Sequence, residues 1–218
     1  EDLGRYLEDK VQRQKDLNET KLKLYQTQLN PHFLYNTLDT IKWEARIRQM
    51  PRIAVLAENL AVILRKSISS KLFIPLKEEL ETIDSYVEVQ EIRFTGRFLC
   101  EKEIPDQLEE CLVPKMILQP LVENAILHGL EGCENGYICI YAGREGDVLN
   151  ISITDNGCGM SPEILAWINS PEPEKRDGHL GIYNIMRILK LYYGNEYGLK
   201  AEVTEDGTTV TLSLPVRM

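Results

Sequence analysis

The chain has 218 residues, which is enough for one or two domains with a substantial apolar core. Hydrophobic residues make up 43% of it and charged residues 27%, as in an ordinary soluble protein. A net charge of -9 argues against unaided binding to nucleic acid. The five cysteines form no CxxC pair, and the three histidines are scattered. The composition therefore predicts no zinc site and fits a reducing, cytoplasmic setting.

The first 70 residues have the pattern of a helical hairpin. Residues 1–48 read as one long helix with apolar positions at helical spacing, and residues 52–70 read as a second helix after a break at Pro51. Neither apolar stripe has an evident partner within a single hairpin. Two copies are therefore expected to form a four-helix bundle, which predicts a homodimer through residues 1–70.

A proline interrupts the first helical pattern within residues 28–36, which read QLNPHFLYN. Proline inside a helix removes one backbone hydrogen bond and costs about 3 kcal/mol. We expect Pro31 to bend the helix and to change how His32 is presented. On this stretch alone, the alternative is a surface helix that is kinked by chance, with His32 as a solvated side chain.

The pattern changes after residue 75, where helices and antiparallel strands mix. This mixture suggests an α+β sandwich over residues 76–218, with one face of the sheet covered by helices. The helices are expected over residues 77–94, 115–130, 162–169 and 180–193. The strands are expected over residues 98–104, 137–142, 148–154, 199–204 and 208–214.

Two glycine-containing stretches follow the ends of predicted elements. Residues 155–160, DNGCGM, come directly after a strand, and glycines there let the backbone pass close to a flat ligand. The carboxylate of Asp155 can accept a hydrogen bond from an exocyclic amine such as that of adenine. Residues 178–184, GHLGIYN, open a helix, whose free N–H groups can bind phosphate. The alternative for residues 155–160 is an ordinary turn without a ligand, and the alternative for residues 178–184 is an ordinary loop.

Asn124 lies in the middle of a predicted helix among apolar residues, within the stretch QPLVENAILHG at 119–129. Asparagine is a poor helix former, so its presence there needs a reason. Its amide oxygen could be one ligand of a magnesium ion whose other ligands are mainly phosphate oxygens. The alternative is a buried asparagine that bonds to the backbone. The sequence contains no Walker A, HRD or DFG motif, which excludes P-loop NTPases and eukaryotic-type kinases.

In this order, the four stretches resemble the motifs of the sensor histidine kinases of bacterial two-component systems, in particular the LytS/YesM type. Residues 29–36 resemble the phosphoacceptor box and residues 119–129 the N box. Residues 155–160 and 178–184 resemble the two glycine boxes, and residues 207–210, GTTV, the terminal Gly-Thr element of the GHKL ATPase fold. The resemblance covers the chain from about residue 20 to its C-terminus.

This resemblance implies a helical hairpin that forms a dimeric four-helix bundle, followed by a GHKL (Bergerat-type) α/β sandwich. It implies that the γ-phosphoryl group of ATP is transferred to His32 and then to an aspartate in the receiver domain of a response regulator. It also implies that the full-length protein is anchored in the cell membrane through an N-terminal sensor region outside this sequence, with these residues in the cytoplasm.

The resemblance also assigns roles to single residues. It makes Asn124 the magnesium ligand, Asp155 the reader of adenine, and residues 171–178 the lid over ATP. The remaining nucleotide-binding residues that it implies are His128, Gly157, Gly159, Gly178, Leu180, Gly181 and Thr208.

The sequence departs from the family pattern at two positions. The N box often carries a phosphate-binding lysine where this chain has Leu127, so positive charge must come from elsewhere, and His128 and Arg187 are candidates. Many histidine kinases have an acidic residue directly after the phosphoacceptor, where this chain has Phe33.

Two other residues are candidates for the missing acid–base partner. Asn36 lies one helical turn after His32, so its amide could orient the imidazole ring. Glu123 adjoins Asn124 and could supply a carboxylate from the ATP-binding domain, unless it only anchors its own helix or a neighbouring loop.

Two other functions stay open at this point. One is a GHKL protein-serine kinase of the anti-sigma type, a class that lacks a phosphoacceptor helix. The other is a dimerisation module that binds nucleotide without transferring phosphate, for which Leu127 is the support.

Overall fold

The computed structural model describes residues 31–94, 96–171, 173–176 and 178–217. The chain divides into two compact units, one that ends at Ser69 and one that begins at Ser70. The roles assigned above to residues 1–70 and 76–218 remain predictions. Within the described residues, no helix combines the length and the apolar character that crossing a bilayer requires.

The first unit contains a helical hairpin. Helices α1 (Pro31–Ile47) and α2 (Pro51–Ile68) are joined by a turn in which Gln49 adopts a positive φ of 56°. Arg46 and Glu58 connect the two helices with an ion pair of 3.1 Å. Residues 1–30 and the bend expected at Pro31 lie outside the described residues. Several large apolar side chains of the hairpin are exposed in the single chain: Phe33, Ile41, Trp43, Ile47, Ile53 and Leu60.

The second unit consists of helices and strands that alternate along the chain. Its helices are α3 (Leu76–Phe94), α4 (Gln119–Asn124), α5 (Pro162–Ile168) and α6 (Leu180–Tyr193), and α4 continues into a π-helical turn at Ala125–Gly129. Its strands are β1 (Phe73–Pro75), β2 (Phe98–Glu103), β3 (Leu112–Pro114), β4 (Gly136–Glu145), β5 (Val148–Asp155), β6 (Gly198–Thr204) and β7 (Gly207–Pro215).

Five of these strands form one mixed sheet in the order β2-β4-β5-β7-β6. Strand β2 runs parallel to β4, and the other neighbours are antiparallel. The expectation of antiparallel strands was therefore wrong for β2, because the chain crosses over through β3 and α4 before it returns as β4. Strands β1 and β3, which the sequence pattern did not predict, form a separate antiparallel pair.

Buried and partly exposed side chains alternate along β4, β5 and β7, so one face of the sheet is apolar. Helices α5 and α6 pack against β6 at one end of this face, and α3 packs against β2 at the other. The sequence predicted this sandwich with helices on one face. The central inward-facing side chains are Ile138, Ile140, Leu149, Ile151, Ile153, Val210, Leu212 and Leu214.

Candidate functional site

The carboxylate of Asp155 lies at the edge of the buried face of the sheet, where β5 ends. In the strand register Asp155 lies between Ile138 of β4 and Thr208 of β7, and the residue is 4% exposed. Burial raises the pKa of this carboxyl group, and a hydrogen bond of 3.0 Å from the N–H of Gly157 to Oδ1 opposes the rise. A carboxylate can accept several hydrogen bonds, so Asp155 retains capacity for a polar ligand.

The hydroxyl group of Thr208 is the second buried polar group at this edge. Thr208 is 1% exposed, and within the described residues its Oγ1 has no hydrogen-bond partner. Leaving a buried hydroxyl unpaired costs about 1–3 kcal/mol. Gly207 makes the arrangement possible, because a Cβ there would lie 1.9 Å from the carbonyl oxygen of Asp155. Asp155 can therefore accept further hydrogen bonds, and the Thr208 hydroxyl has no described partner. Buried polar groups with free hydrogen-bonding capacity are typical of a ligand site.

Close contact between two glycines joins the turn after β5 to the end of the π-helical turn. A Cβ at Gly157 would lie 1.8 Å from the carbonyl oxygen of Gly129, and a Cβ at Gly129 would lie 2.7 Å from Oδ1 of Asp155. The N–H of Cys158 donates to the same carbonyl at 2.9 Å. Gly157 thus holds the site together, whereas Gly159, with a φ of 81°, faces the space beside it.

These groups border a cavity of about 160 Å³. Small-molecule pockets usually measure about 300–1,000 Å³, so this cavity has room for a flat ring system but not for a whole nucleotide. Five predicted nucleotide-binding residues line it: Asn124, His128, Asp155, Gly159 and Thr208. The other lining residues are Gly129, Met160, Ser161, Ile164 and His179.

Asn124 reaches the cavity from the point where α4 changes into the π-helical turn. The N–H of Leu130 donates to the carbonyl of Ala125 at 2.9 Å, five residues back, as in a π-helix. The predicted helix over residues 115–130 is thus interrupted within its length, and it begins only at Gln119, because Met116 adopts a positive φ of 59°. Single π-helical turns inside helices are frequent at functional sites.

Two histidines, His128 and His179, line the cavity with their imidazole rings close together. The ring centroids of His128 and His179 are 6.5 Å apart, and Trp167 lies 5.8 Å from His179. Burial lowers the pKa of His179, and the nearby His128 and Arg176 lower it further. Sequence reasoning did not single out Trp167. Its Nε1–H donates to the carbonyl of Glu174 at 2.7 Å and ties the predicted lid to α5.

Four predicted binding residues do not line the cavity: Gly157, which contacts Gly129 as described above, and Gly178, Leu180 and Gly181. A Cβ at Gly181 would meet Cβ of Pro120 at 2.9 Å, so this glycine brings the start of α6 against the start of α4. Gly178 has a φ of 85° with open space around it, and Leu180 is exposed. Arg187, a candidate for the missing positive charge, lines a different cavity of about 790 Å³ together with Met186 and Tyr197.

His32 and Asn36 lie on the exposed surface of α1, one turn apart. The Nδ2 atom of Asn36 is 3.2 Å from Nδ1 of His32 and 3.5 Å from Nε2. The amide therefore reaches the imidazole ring, as the one-turn spacing predicted, and it restricts the orientation of the ring.

Glu123 is exposed and does not line the cavity. Its carboxylate lies close enough to Tyr86 of α3 to affect the ionisation of the phenol. Burial is the main cause that raises the pKa of Tyr86 to about 12, and the charge of Glu123 adds to the rise. A hydrogen bond with Gln90 and the charge of Arg93 act in the opposite direction.

Glu79 of α3 is a buried acidic residue that supports the loop before α4, and sequence reasoning missed it. The residue is 1% exposed, and its carboxylate accepts hydrogen bonds from the backbone N–H groups of Met116 at 2.9 Å and Leu118 at 3.0 Å. Burial raises the pKa of Glu79, and these backbone hydrogen bonds oppose the rise. Glu79 therefore fixes the segment that leads into α4 and, through it, the position of Asn124.

Two family models match the chain and together cover most of it. The model for histidine kinases matches residues 20–98, and that for the histidine kinase-, DNA gyrase B- and HSP90-like ATPases matches residues 112–218.

Similar proteins are sensor kinases. The chain is 36% identical over 219 residues to the sensor histidine kinase YesM of Bacillus subtilis, a match that covers 99% of this chain and 37% of YesM. It is 33% identical over 204 residues to BtsS of Escherichia coli K12, covering 92% of this chain and 34% of BtsS. The sensor protein LytS of Bacillus subtilis is 28% identical over 208 residues, covering 92% of this chain and 35% of LytS. The chain thus spans about a third of the length of these relatives.

Solved structures share the fold at lower identity. The histidine kinase domain of the blue-light activated kinase from Erythrobacter litoralis EL346 superposes with a TM-score of 0.53 at 15% identity, over 85% of this chain and 94% of that one. The catalytic domain of the histidine kinase ThkA superposes with a TM-score of 0.51 at 21% identity, over 66% of this chain and 95% of that one. On the two family matches and these relatives, the chain belongs to the LytS/YesM-type sensor histidine kinases.

Proposed function

We propose that this chain is an ATP-dependent protein histidine kinase that transfers the γ-phosphoryl group of ATP to His32. The observation that carries the proposal is the pair of buried polar groups at the cavity, because the Asp155 carboxylate and the unpartnered Thr208 hydroxyl both fit an adenine ring. The match of residues 112–218 to an ATPase family model supports the same ligand. The exposed His32 on α1 is the proposed acceptor.

In this proposal the adenine base of the nucleotide occupies the cavity, and the ribose and phosphates lie outside it. Asp155 accepts a hydrogen bond from the exocyclic amine of adenine, and the Thr208 hydroxyl bonds to the ring or to a water molecule beside it. Asn124 and His128 also line the cavity, and in this proposal they bind the ribose or the phosphates. Gly157 supports the site by its contact with Gly129, while Gly178, Leu180 and Gly181 shape its outer side from the lid and the start of α6.

We propose that magnesium enters the site together with the nucleotide, whose phosphates hold it for the most part. The part of the chain that is described holds no group of three or more His, Cys, Asp or Glu side chains able to bind a metal. Asn124 would therefore contribute one amide oxygen to an ion held mainly by phosphate oxygens. There the ion would neutralise phosphate charge.

The transfer itself needs positioning and charge neutralisation more than covalent help from the protein. A nitrogen of the His32 imidazole attacks the γ-phosphorus, the bond from phosphorus to the β,γ-bridging oxygen breaks, and ADP leaves. The ring gains positive charge and loses its remaining N–H proton to a base, for which Glu123 is the proposed carboxylate. Asn36 orients the ring through its contact with Nδ1.

Three partners belong to the same proposal. A receiver domain of a response regulator would accept the phosphoryl group on an aspartate, which the solved complex of ThkA with the response regulator TrrA supports by analogy. A second copy of the chain would cover the exposed apolar side chains of α1 and α2. An N-terminal sensor region would anchor the full-length protein in the membrane with these residues in the cytoplasm, in keeping with the longer sensor relatives.

The direct test is incubation of the chain with γ-labelled ATP, followed by acid or alkali treatment of the labelled protein. Label on His32 should be lost in acid and retained in alkali, and H32Q should take up none. Label that survives acid or persists in H32Q would instead identify the protein-serine kinase. ADP binding without any label would identify the non-catalytic nucleotide-binding module. Light scattering at micromolar concentration should give the mass of a dimer.

A further inference from the structure

Strand β6 lies at one edge of the five-stranded sheet, because it pairs only with β7. In an antiparallel strand each residue directs its N–H and C=O to the same side, and successive residues alternate between the two sides. The register of β6 with β7 is continuous from Gly198 to Thr204 and contains no bulge. Every second residue of β6 therefore presents its backbone groups to the open edge.

The side chain of Asn169 identifies which residues of β6 face the edge. Its Nδ2 donates to the carbonyl of Ala201 at 2.9 Å, and its Oδ1 accepts from the N–H of Ala201 at 2.9 Å. Both backbone groups of Ala201 thus point away from β7, and by alternation so do those of Leu199 and Val203. Asn169, which directly follows α5, occupies the edge at Ala201 as a residue of a neighbouring strand would.

Leu199 leaves the next position of this edge open. Within the described residues, its N–H and C=O have no hydrogen-bond partner. Leu199 also lines the cavity of about 790 Å³ that lies between α6 and β6. Ligand sites usually measure about 300–1,000 Å³. No described residue lines both this cavity and the proposed nucleotide cavity, so the two are separate sites.

Helix α6 gives its wall of this cavity a positive charge. Arg187 and Lys190 line the cavity from α6, and α6 contains no acidic residue. Arg187 is exposed and has no ion-pair partner in the part of the chain that is described. Lys200 also lines the cavity but is held in an ion pair along β6. The acidic lining residues, Glu174 and Glu196, lie outside α6. A ligand carboxylate that faces α6 is therefore matched in charge.

We propose that the open edge of β6 at Leu199 and the cationic wall of α6 form a docking site for an extended, acidic segment of a partner protein. An extended main chain matches the free donor and acceptor of Leu199, so the segment would add to β6 as a further strand. It would place a carboxylate beside Arg187. Asn169 would end the added strand, because it already occupies the edge at Ala201.

The test uses the fluorescein-labelled peptide VTETV, which in a strand brings its glutamate and both valines to one face. Fluorescence anisotropy with the 218-residue chain should show saturable binding with a Kd below about 1 mM. The peptide VTKTV should bind at least about 10-fold more weakly, because its lysine would meet the cationic wall. R187A should weaken the binding of VTETV by about 5- to 10-fold and remove most of the preference over VTKTV. R97A, which removes an exposed arginine just beyond α3, is the matched control and should change neither affinity.

N-methylation of the peptide tests whether it binds as a strand. A methyl group on the glutamate amide blocks one edge of VTETV, and methyl groups on both threonine amides block the other, with the side chains unchanged. One of these peptides should lose about 10-fold or more in affinity, and the other should bind within about threefold of VTETV. L199P removes the donor from the protein side and should also weaken binding. Since this N–H points away from β7, the pairing of β6 with β7 should remain, which thermal unfolding checks.

The proposal is overturned if VTETV shows no saturable binding up to about 1 mM. It is also overturned if both N-methylated peptides bind as VTETV does, because the cavity would then hold an anion through its side chains alone. A lower mass of L199P in light scattering would overturn it too, since β6 would then be an interface between copies of this chain. None of these outcomes depends on nucleotide binding or on labelling of His32.

Discussion

The buried carboxylate of Glu79 and the backbone N–H of Leu118 are hydrogen-bonded at 3.0 Å, although the two residues lie 39 positions apart in the chain. The second oxygen of the same carboxylate binds the N–H of Met116 at 2.9 Å. One side chain of α3 thus satisfies two backbone donors of the loop before α4. Since α4 carries Asn124, a contact that is remote in sequence positions a residue of the proposed nucleotide site.

We expect E79A to lower the free energy of unfolding by about 2–4 kcal/mol, because it leaves two buried N–H groups without an acceptor. E79Q should cost less, since its amide oxygen replaces one of the two acceptors. Urea denaturation measures both changes. E91A, at a half-buried position on the same helix, is the control and should stay within about 0.5 kcal/mol of the parent. An E79A chain as stable as the parent would contradict this role.

We expect D155N to bind ADP more weakly than the parent and to be more stable than the parent where Asp155 would be ionised. A hydrogen bond to a charged group contributes about 1.5–3 kcal/mol, so the loss of the carboxylate should weaken ADP binding by about 10- to 100-fold in calorimetry. D147N, whose carboxylate lies in the exposed turn between β4 and β5, is the matched control and should bind ADP as the parent does. Equal ADP affinity in D155N and the parent would remove Asp155 from the site.

The same substitution makes a prediction about pH. Burial raises the folded-state pKa of Asp155, so its ionisation costs the folded state stability as pH rises from the unfolded value of about 3.9 through the folded one. Asparagine removes this cost and can still accept the hydrogen bond from Gly157. The stability of D155N relative to the parent should therefore increase with pH over this range and then level off. Thermal unfolding at a series of pH values measures it, and a constant difference would contradict the assignment.

Periodic sequence patterns predicted the long elements well. Helix α6 occupies Leu180–Tyr193, as expected, because its apolar residues recur at helical spacing and Gly194 ends it. Strands β1 and β3 escaped prediction, since three residues are too few to show a period and each pairs only with a distant partner. No residue type in the sequence indicates that α4 begins only at Gln119 or that it continues into a π-helical turn.

Sequence motifs predicted several of the residues that the structure brings together at the cavity, but they did not predict residues that reach it through a distant contact. Asp155 and Thr208 were expected from their stretches, and the register of β5 and β7 brings them side by side. Glu79 was missed because a glutamate in the first turn of a helix already has a local explanation in the helix dipole. Arg187 was a candidate for binding phosphate because it follows residues 178–184 closely in sequence. In the structure its position on α6 makes it line a different cavity.

N124A should affect nucleotide binding through magnesium. If its amide oxygen is one ligand of the ion, ADP affinity measured with magnesium should fall by about 10-fold, and affinity measured in EDTA should change little. The groups that we propose to bind adenine remain in place, which distinguishes this variant from D155N. The result that would refute the role is an equal loss in both conditions, or no loss in either.

The emission of Trp167 should report occupancy of the cavity. The indole lies 5.8 Å from the ring of His179, which lines the cavity, and it is bound to the lid through Glu174. The chain has two tryptophans, so W43F leaves Trp167 as the sole emitter. Saturating ADP should change its intensity or wavelength, and D155N in the same background should need about 10- to 100-fold more ADP for the same change. An unchanged spectrum in W43F with ADP bound by calorimetry would contradict the coupling.

The last prediction concerns the proton that His32 must lose. As an imidazole nitrogen attacks phosphorus, the ring becomes positively charged, and a carboxylate near its N–H would stabilise it and accept the proton. Phe33 cannot do this, and Asn36 is neutral, so it can orient the ring but cannot take the proton. Glu123 is exposed, and it is adjacent in sequence to Asn124, which lines the cavity.

General acid–base groups contribute about 10²- to 10⁴-fold in rate. We therefore expect E123Q to retain ATP affinity and thermal stability and to lose labelling of His32 by about that factor. An anchoring role would give the opposite result, with a lower melting temperature and near-normal labelling at saturating ATP. E131Q, another acidic side chain that is exposed just after the π-helical turn, is the matched control. If E123Q labels His32 within about threefold of the parent rate, Glu123 is not the base.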